Sequence, residues 1–185
     1  MKTPAQFINA MAPLKNSLAA SRLGRRFLAL LLGLSYVALP TVRAVDPPPD
    51  GGYPNQNTAE GEDALFSLGI GFNNTAVGFQ ALFSNTKGND NTSVGYGALY
   101  QNISGDFNTA SGFQALYFNT TGKRNTAHGL NALYANTTGS DNTAIGNYAL
   151  ASNTRGRNNI GVGFSAGSSF SAGSNNIDIG NPGGV

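Results

Sequence analysis

The side chains that carry most enzyme chemistry are scarce in this sequence. Its 185 residues include no cysteine and a single histidine, His128. A nucleophile relay needs a histidine held between a hydroxyl or thiol and a carboxylate. His128 instead stands where other copies of a repeat carry valine, serine or isoleucine, so it reads as drift within that repeat. Without cysteine there are no disulfides, thiolate zinc ligands or thiol nucleophiles. Glu60, Glu62 and Asp63 cluster in one short stretch, but a solvated end turn explains them more simply than a site. No aspartate recurs with the spacing of calcium-binding rolls. The glycines never lead from a strand into a helix, so loops that cradle phosphates or dinucleotides lack their context. The chain is expected not to be an enzyme and to hold no cofactor or metal.

What does recur is asparagine and glycine. From Asn57 the chain can be written without gaps in lines of 17, among them NTAVGFQALFSNTKGND from Asn74 and NTAIGNYALASNTRGRN from Asn142. Seven full copies and one partial copy cover residues 57–185. Position one is asparagine throughout: Asn57, Asn74, Asn91, Asn108, Asn125, Asn142, Asn159 and Asn176. Stacked asparagines can link successive turns of a solenoid through an amide ladder. Position five is glycine throughout: Gly61, Gly78, Gly95, Gly112, Gly129, Gly146, Gly163 and Gly180. Position fifteen is glycine in the seven full copies. Two fixed glycines per repeat imply two corners, where φ is positive or backbones approach closely.

These elements define an all-β fold, a parallel β-roll (β-solenoid) of about eight 17-residue turns. Two short strands per turn are expected, Thr-Ala-x and Ala-Leu-aromatic. Leucine at position nine (Leu65 to Leu150) and aromatics at position ten (Phe66 to Tyr134) would then form buried ladders. A helix over FQALFSN or LNALYAN is the competing reading, but such runs are too short to stand alone between glycines. At positions sixteen and seventeen Asp106, Lys123, Arg124, Asp141 and Arg157 alternate in sign, which favours one register by a few tenths of a kcal/mol per exposed pair. Position four, with Val77, Val94, Ile145, Val162 and Ile179, makes an apolar stripe that invites association with identical chains. Threonines at positions two and thirteen would form further ladders. The eighth turn, ending NPGGV, offers no evident polar cap, which such folds normally need.

The first 44 residues differ from the rest. They hold six of the eleven basic residues and no acidic one. The run Phe27–Leu39 follows Arg25-Arg26 and is too short to span a membrane, as a signal peptide's apolar region is. Pro40 and Val42-Arg43-Ala44 then suggest cleavage after Ala44, with an uncleaved anchor as the alternative. Residues 45–56 form a Pro/Gly-rich linker. The expected route is Sec export to the cell surface, outer membrane or exterior, with no membrane insertion by the mature part. That part keeps five basic and nine acidic residues, a net charge of −4, which removes the case for a nucleic-acid partner.

The NTAVG and NTAIG cores, each followed by a small/aliphatic run and a glycine turn, resemble the head repeats of YadA-like trimeric autotransporter adhesins (Hep/Hag-type β-roll repeats). The likeness covers 57–185. It implies a left-handed roll, a homotrimeric head and attachment to an unknown surface or matrix ligand, or cell–cell contact. Similar rolls in secreted and phage-type fibres offer an alternative setting. An ice- or crystal-binding solenoid is a further alternative, resting on the threonine ladders.

Overall fold

The computed structural model describes residues 53–180. The expected signal peptide at 1–44, most of the expected linker and residues 181–185 lie outside the described residues. The repeats coil into a parallel β-solenoid with one strand per turn: β1 (Thr58–Glu60), β2 (Thr75–Val77), β3 (Thr92–Val94), β4 (Thr109–Ser111), β5 (Thr126–His128), β6 (Thr143–Ile145), β7 (Ile160–Val162) and β8 (Ile177–Ile179). They form one eight-stranded sheet in chain order. Every pairing is in register at an offset of 17, Thr58 opposite Thr75 and Ala59 opposite Ala76.

Alternation along each strand sorts the side chains. The middle residue points inward, so Ala59, Ala76, Ala110, Ala127 and Ala144 are buried, while the residues at positions two and four face out. Ser93 replaces alanine at one inward position, and its hydroxyl donates to the Ala98 carbonyl at 2.7 Å. A buried polar side chain is tolerated there because its bond is made.

The second expected strand is not formed. Ala-Leu-aromatic lies in a run of turns, and both its alanine and its leucine are fully buried, as at Ala98 and Leu99. Adjacent residues of a strand face opposite ways and could not both enter the core. The chain solves this by placing each leucine in the left-handed region, from Leu65 at φ 52° to Leu150 at φ 49°. The residues two before them, such as Gln80 and Gln114, are left-handed as well (φ 56° and 54°). These turns still bond along the axis: Leu82 N–H donates to the Ala98 carbonyl and Ser84 N–H to the Tyr100 carbonyl, each at 3.0 Å. Six leucines thus stack on two alanine columns, each leucine contributing about 1.5–3 kcal/mol by leaving water.

Both ends of this core depart from the repeat. Residues 53–56, read from the sequence as linker, belong to the roll: Tyr53 packs against the core and Pro54–Gln56 make a tight turn. The Asn55 carbonyl accepts from Asn73 N–H at 3.0 Å. In the seventh turn Gly167 replaces leucine and Phe170 packs against the core. In β8 the inward position is Asp178, whose Oδ2 accepts from Gly167 N–H at 2.6 Å. A polar side chain thus stands in the alanine column of the last described strand and satisfies a backbone N–H of the turn before.

Candidate functional site

The invariant asparagines and glycines meet at one corner. In the middle turns each position-one amide donates to the Oδ1 of the asparagine a turn before and to the position-fifteen carbonyl of its own turn. Asn108 Nδ2 reaches Asn91 Oδ1 at 3.1 Å and the Gly122 carbonyl at 2.9 Å. Its Oδ1 accepts the backbone and side-chain amides of Asn125 at 3.0 and 3.1 Å. The same pattern holds at Asn74, Asn91, Asn125 and Asn142. Asn57 opens the ladder, and Asn176 closes it on Asn159. The Asn159 side chain turns to Asn153 Oδ1 and the Gly173 carbonyl, while its backbone N–H keeps Asn142 Oδ1. All are buried except the half-buried Asn176.

A second ladder, at position twelve, escaped the sequence reading. Asn85, Asn102, Asn119, Asn136 and Asn153 are fully buried and linked from turn to turn, Asn119 Nδ2 to Asn102 Oδ1 at 2.8 Å. Their amides also donate to the position-fifteen carbonyl, so Gly122 accepts from Asn119 at 3.1 Å as well as from Asn108. The signal was present in the sequence as a column of asparagines in five successive copies.

The two glycine columns serve different needs. Position five is left-handed from Gly61 to Gly180, and all but the last of these glycines lie against the backbone of the next turn. Position fifteen is not left-handed. A Cβ on Gly105 would meet Gly122 O, Asn102 Oδ1 and Asn119 Nδ2. Apart from Asn176 and Gly180 in the eighth turn, the position-one asparagines and position-five glycines are packed against the next turn and serve the structure of the coil.

The outer surface falls into three strips. The sheet face carries positions two and four, with Val77, Val94, Ile145, Ile160, Ile177 and Ile179 exposed. His128 projects from this face between Ser111 and Ile145 of the adjoining strands, with no acid beside it in register. The position-two threonine hydroxyls make no hydrogen bond among the described residues. Those at position thirteen bond back to the next turn, Thr120 to the Thr137 carbonyl at 2.9 Å and Thr137 to Thr154 at 3.0 Å.

The second strip is aromatic. Phe66, Phe83, Tyr100, Tyr117 and Tyr134 stack with centroids 4.9–5.6 Å apart. They lie at the surface, partly exposed, and not in the core as expected. Position six adds a shorter stack, Phe79–Tyr96–Phe113, at 5.2 and 5.0 Å. The offset rings cover one another's faces, as aromatic pairs prefer. Burial, reinforced by the neighbouring phenols Tyr100, Tyr134 and Tyr96, raises the Tyr117 pKa above the usual phenol value. An acid whose folded pKa is raised leaves stability intact below its unfolded pKa of about 10 and removes it as pH climbs through the folded value. The melting temperature is therefore expected to fall above about pH 10 and to fall less in Tyr117→Phe, as followed by circular dichroism.

The third strip, positions fourteen to seventeen, carries the charge. Every basic residue among the described ones lies here: Lys87, Lys123, Arg124, Arg155 and Arg157. Lys123 pairs with Asp106 at 2.7 Å, and Arg124 with Asp141 at 2.6 Å, each across one turn. The Arg124 guanidinium holds the Asp141 carboxyl below its ordinary range, chiefly through their hydrogen bonds. The pairs are exposed, so each adds little stability.

Glu60, Glu62 and Asp63 lie in the first turn, where Asp63 accepts a long bond from Gln80 at 3.5 Å. Among the described residues no three histidine or acidic side chains gather as metal ligands would, and no helix is long and apolar enough to cross a membrane. The class that fold and surface define is a repetitive β-solenoid. No family model, curated protein or solved structure matches the chain.

Proposed function

We propose that the chain is the adhesin-like structural head of an exported protein, presenting a long repetitive surface for attachment or cell–cell contact. The observation that carries this reading is the sorting of side chains along the roll. From the second turn to the seventh the sheet face bears no formal charge, His128 being its one titratable group, and the charges gather on a single edge. Chemistry spread evenly over about 34 Å, seven steps of ~4.8 Å, suits contact with an extended partner better than turnover of a small molecule. The NTAVG-type repeats support the same reading by their resemblance to YadA-like heads.

Association of three copies fits the uncharged stripe of Val77, Val94, Ile145 and Val162, since interface centres are depleted of charge. A secreted or phage-type fibre module would use the roll in the same way. Sedimentation equilibrium of the exported chain is expected to give a trimer, and beads coated with it to hold cells or matrix above an albumin control. A folded monomer whose beads hold nothing would sink the reading.

One observation favours a second reading, a solenoid that binds ice or another crystalline surface. Six threonines in register, Thr58 to Thr143, keep their hydroxyls free on a regular sheet. Isoleucine replaces threonine in the last two turns, which shortens the array. Thermal hysteresis would separate this reading from the first.

A further inference from the structure

We infer that the edge formed by repeat positions fourteen to seventeen is a binding track for a linear anionic polysaccharide. The inference deepens the adhesive reading and rests on it. The first support is where the cations stand. All five basic residues among the described ones lie on this edge, in the second, fourth and sixth turns. Alternate turns are about 9.6 Å apart, close to the length of a disaccharide, so cations spaced in this way suit acid groups that recur once per disaccharide.

The second support is availability. Lys123 and Arg124 are engaged by Asp106 and Asp141. Arg155 and Arg157 flank the buried Gly156; both are exposed, and neither is in an ion pair. Arg157 is near enough to assist in lowering the Asp141 pKa, so it sits beside the paired charges and not apart from them. Planar guanidinium groups suit the two oxygens of a carboxylate or sulfate.

The third support is a free aromatic face. Phe107 is 58% exposed on the same edge, one turn before Arg124 and three before Arg157. The rings of the aromatic strip cover one another, whereas Phe107 stacks on no ring among the described residues. The CH-rich face of a sugar can bury apolar area against such a ring. An aromatic ring followed along the axis by two arginines is the order a chain of acidic sugars would meet. Duplex nucleic acid fits less well. Its phosphates are dense and its binding relies on many cations at once, while this edge also carries Asp90, Asp106 and Asp141.

The test uses the full chain with four probes: heparin (sulfated), alginate (carboxylated), neutral dextran and duplex DNA, titrated by calorimetry at low and physiological salt. Binding to heparin, alginate or both is expected, with none to dextran and weaker binding to DNA; the two acids tell sulfate from carboxylate. The double variant R155S/R157S should weaken binding about tenfold or more and flatten its salt dependence. Phe107→Ala should weaken it several-fold with the salt dependence kept. The substituted residues are exposed, so unchanged circular dichroism and melting certify the variants. Unchanged affinity in the double variant, or DNA bound as tightly as the glycans, would overturn the track. If neither acid binds while coated beads still hold cells, the track is wrong and the adhesive reading stands. Failure of the beads as well removes both.

Discussion

Asn108→Ala is expected to lower stability by about 3–5 kcal/mol, the loss falling on buried polar groups and not on apolar area. The side chain makes four hydrogen bonds in a fully buried position. Three of the groups it serves keep other partners: Asn91 Oδ1 still accepts from the Asn108 backbone N–H, Gly122 O still accepts from Asn119, and Asn125 Nδ2 still donates to the Gly139 carbonyl. The Asn125 backbone N–H has no replacement, and a buried unsatisfied donor costs about 1–3 kcal/mol. A cavity and the weakened neighbouring rungs supply the rest. Asn108→Asp should be worse at neutral pH, because a carboxylate offers Gly122 O no donor and is costly to bury. Its deficit should shrink on acidification, since burial raises the folded-state pKa and favours the protonated acid. Thermal and urea melts at pH 7 and pH 5 check both statements. An Asn108→Ala chain that melts within a degree of the parent would show that the ladder carries little stability. The exposed Ser152→Ala, outside the left-handed region, is the comparison, with an expected change within about 0.5 kcal/mol.

The second large effect concerns Gly112. Its φ is 142°, and a Cβ there would lie 2.5 Å from the Gly129 carbonyl oxygen and 2.7 Å from its carbon. Both atoms are backbone of the next turn's own corner, so relief would require separating two rungs of the sheet. Gly112→Ala is expected to cost at least about 4 kcal/mol, or to leave the chain unfolded, because overpacking and backbone strain add. Gly97→Ala provides the contrast. There φ is 59°, a region its column-mates Gln80 and Gln114 already occupy, and the new methyl meets side chains alone, the Tyr117 ring at 3.2 Å and Gln114 Cγ at 3.7 Å. A loss of about 1 kcal/mol is expected. Similar melts for the two variants would remove the distinction between a crowded corner and a merely left-handed residue.

The contrast also explains what could be read from sequence. The parallel roll, its 17-residue register and the first asparagine ladder were legible because each copy repeats the same physical demand at the same place. Asn57 to Asn176 never vary, and an invariant amide every turn has few uses other than a ladder. The second strand was misjudged through a rule that was available. Ala98 and Leu99 are neighbours, and both could enter the core only if the backbone left the extended region. Nothing in a leucine announces a positive φ; tertiary packing overrides its preference. The position-twelve asparagines were visible as a column but went unread. Asp178 drew no notice in the sequence, since only its place in the alanine column, beside Gly167, gives it a partner. The charged edge was legible in part, as alternating signs. That Arg155 and Arg157 stand unpaired while Lys123 and Arg124 do not required geometry.

The unbroken 17-residue offset has a consequence for how such a gene can change. Unequal recombination between copies adds or removes units of 17 codons, and each such event lengthens or shortens the roll by one rung. Every amide then finds the same kind of neighbour as before. A single-codon insertion shifts all later rungs against the earlier ones and breaks both asparagine ladders at the seam. The molecule is therefore brittle to small indels and permissive of large ones. Its reach becomes a heritable quantity that varies in discrete steps of about 4.8 Å, with no re-engineering of the core.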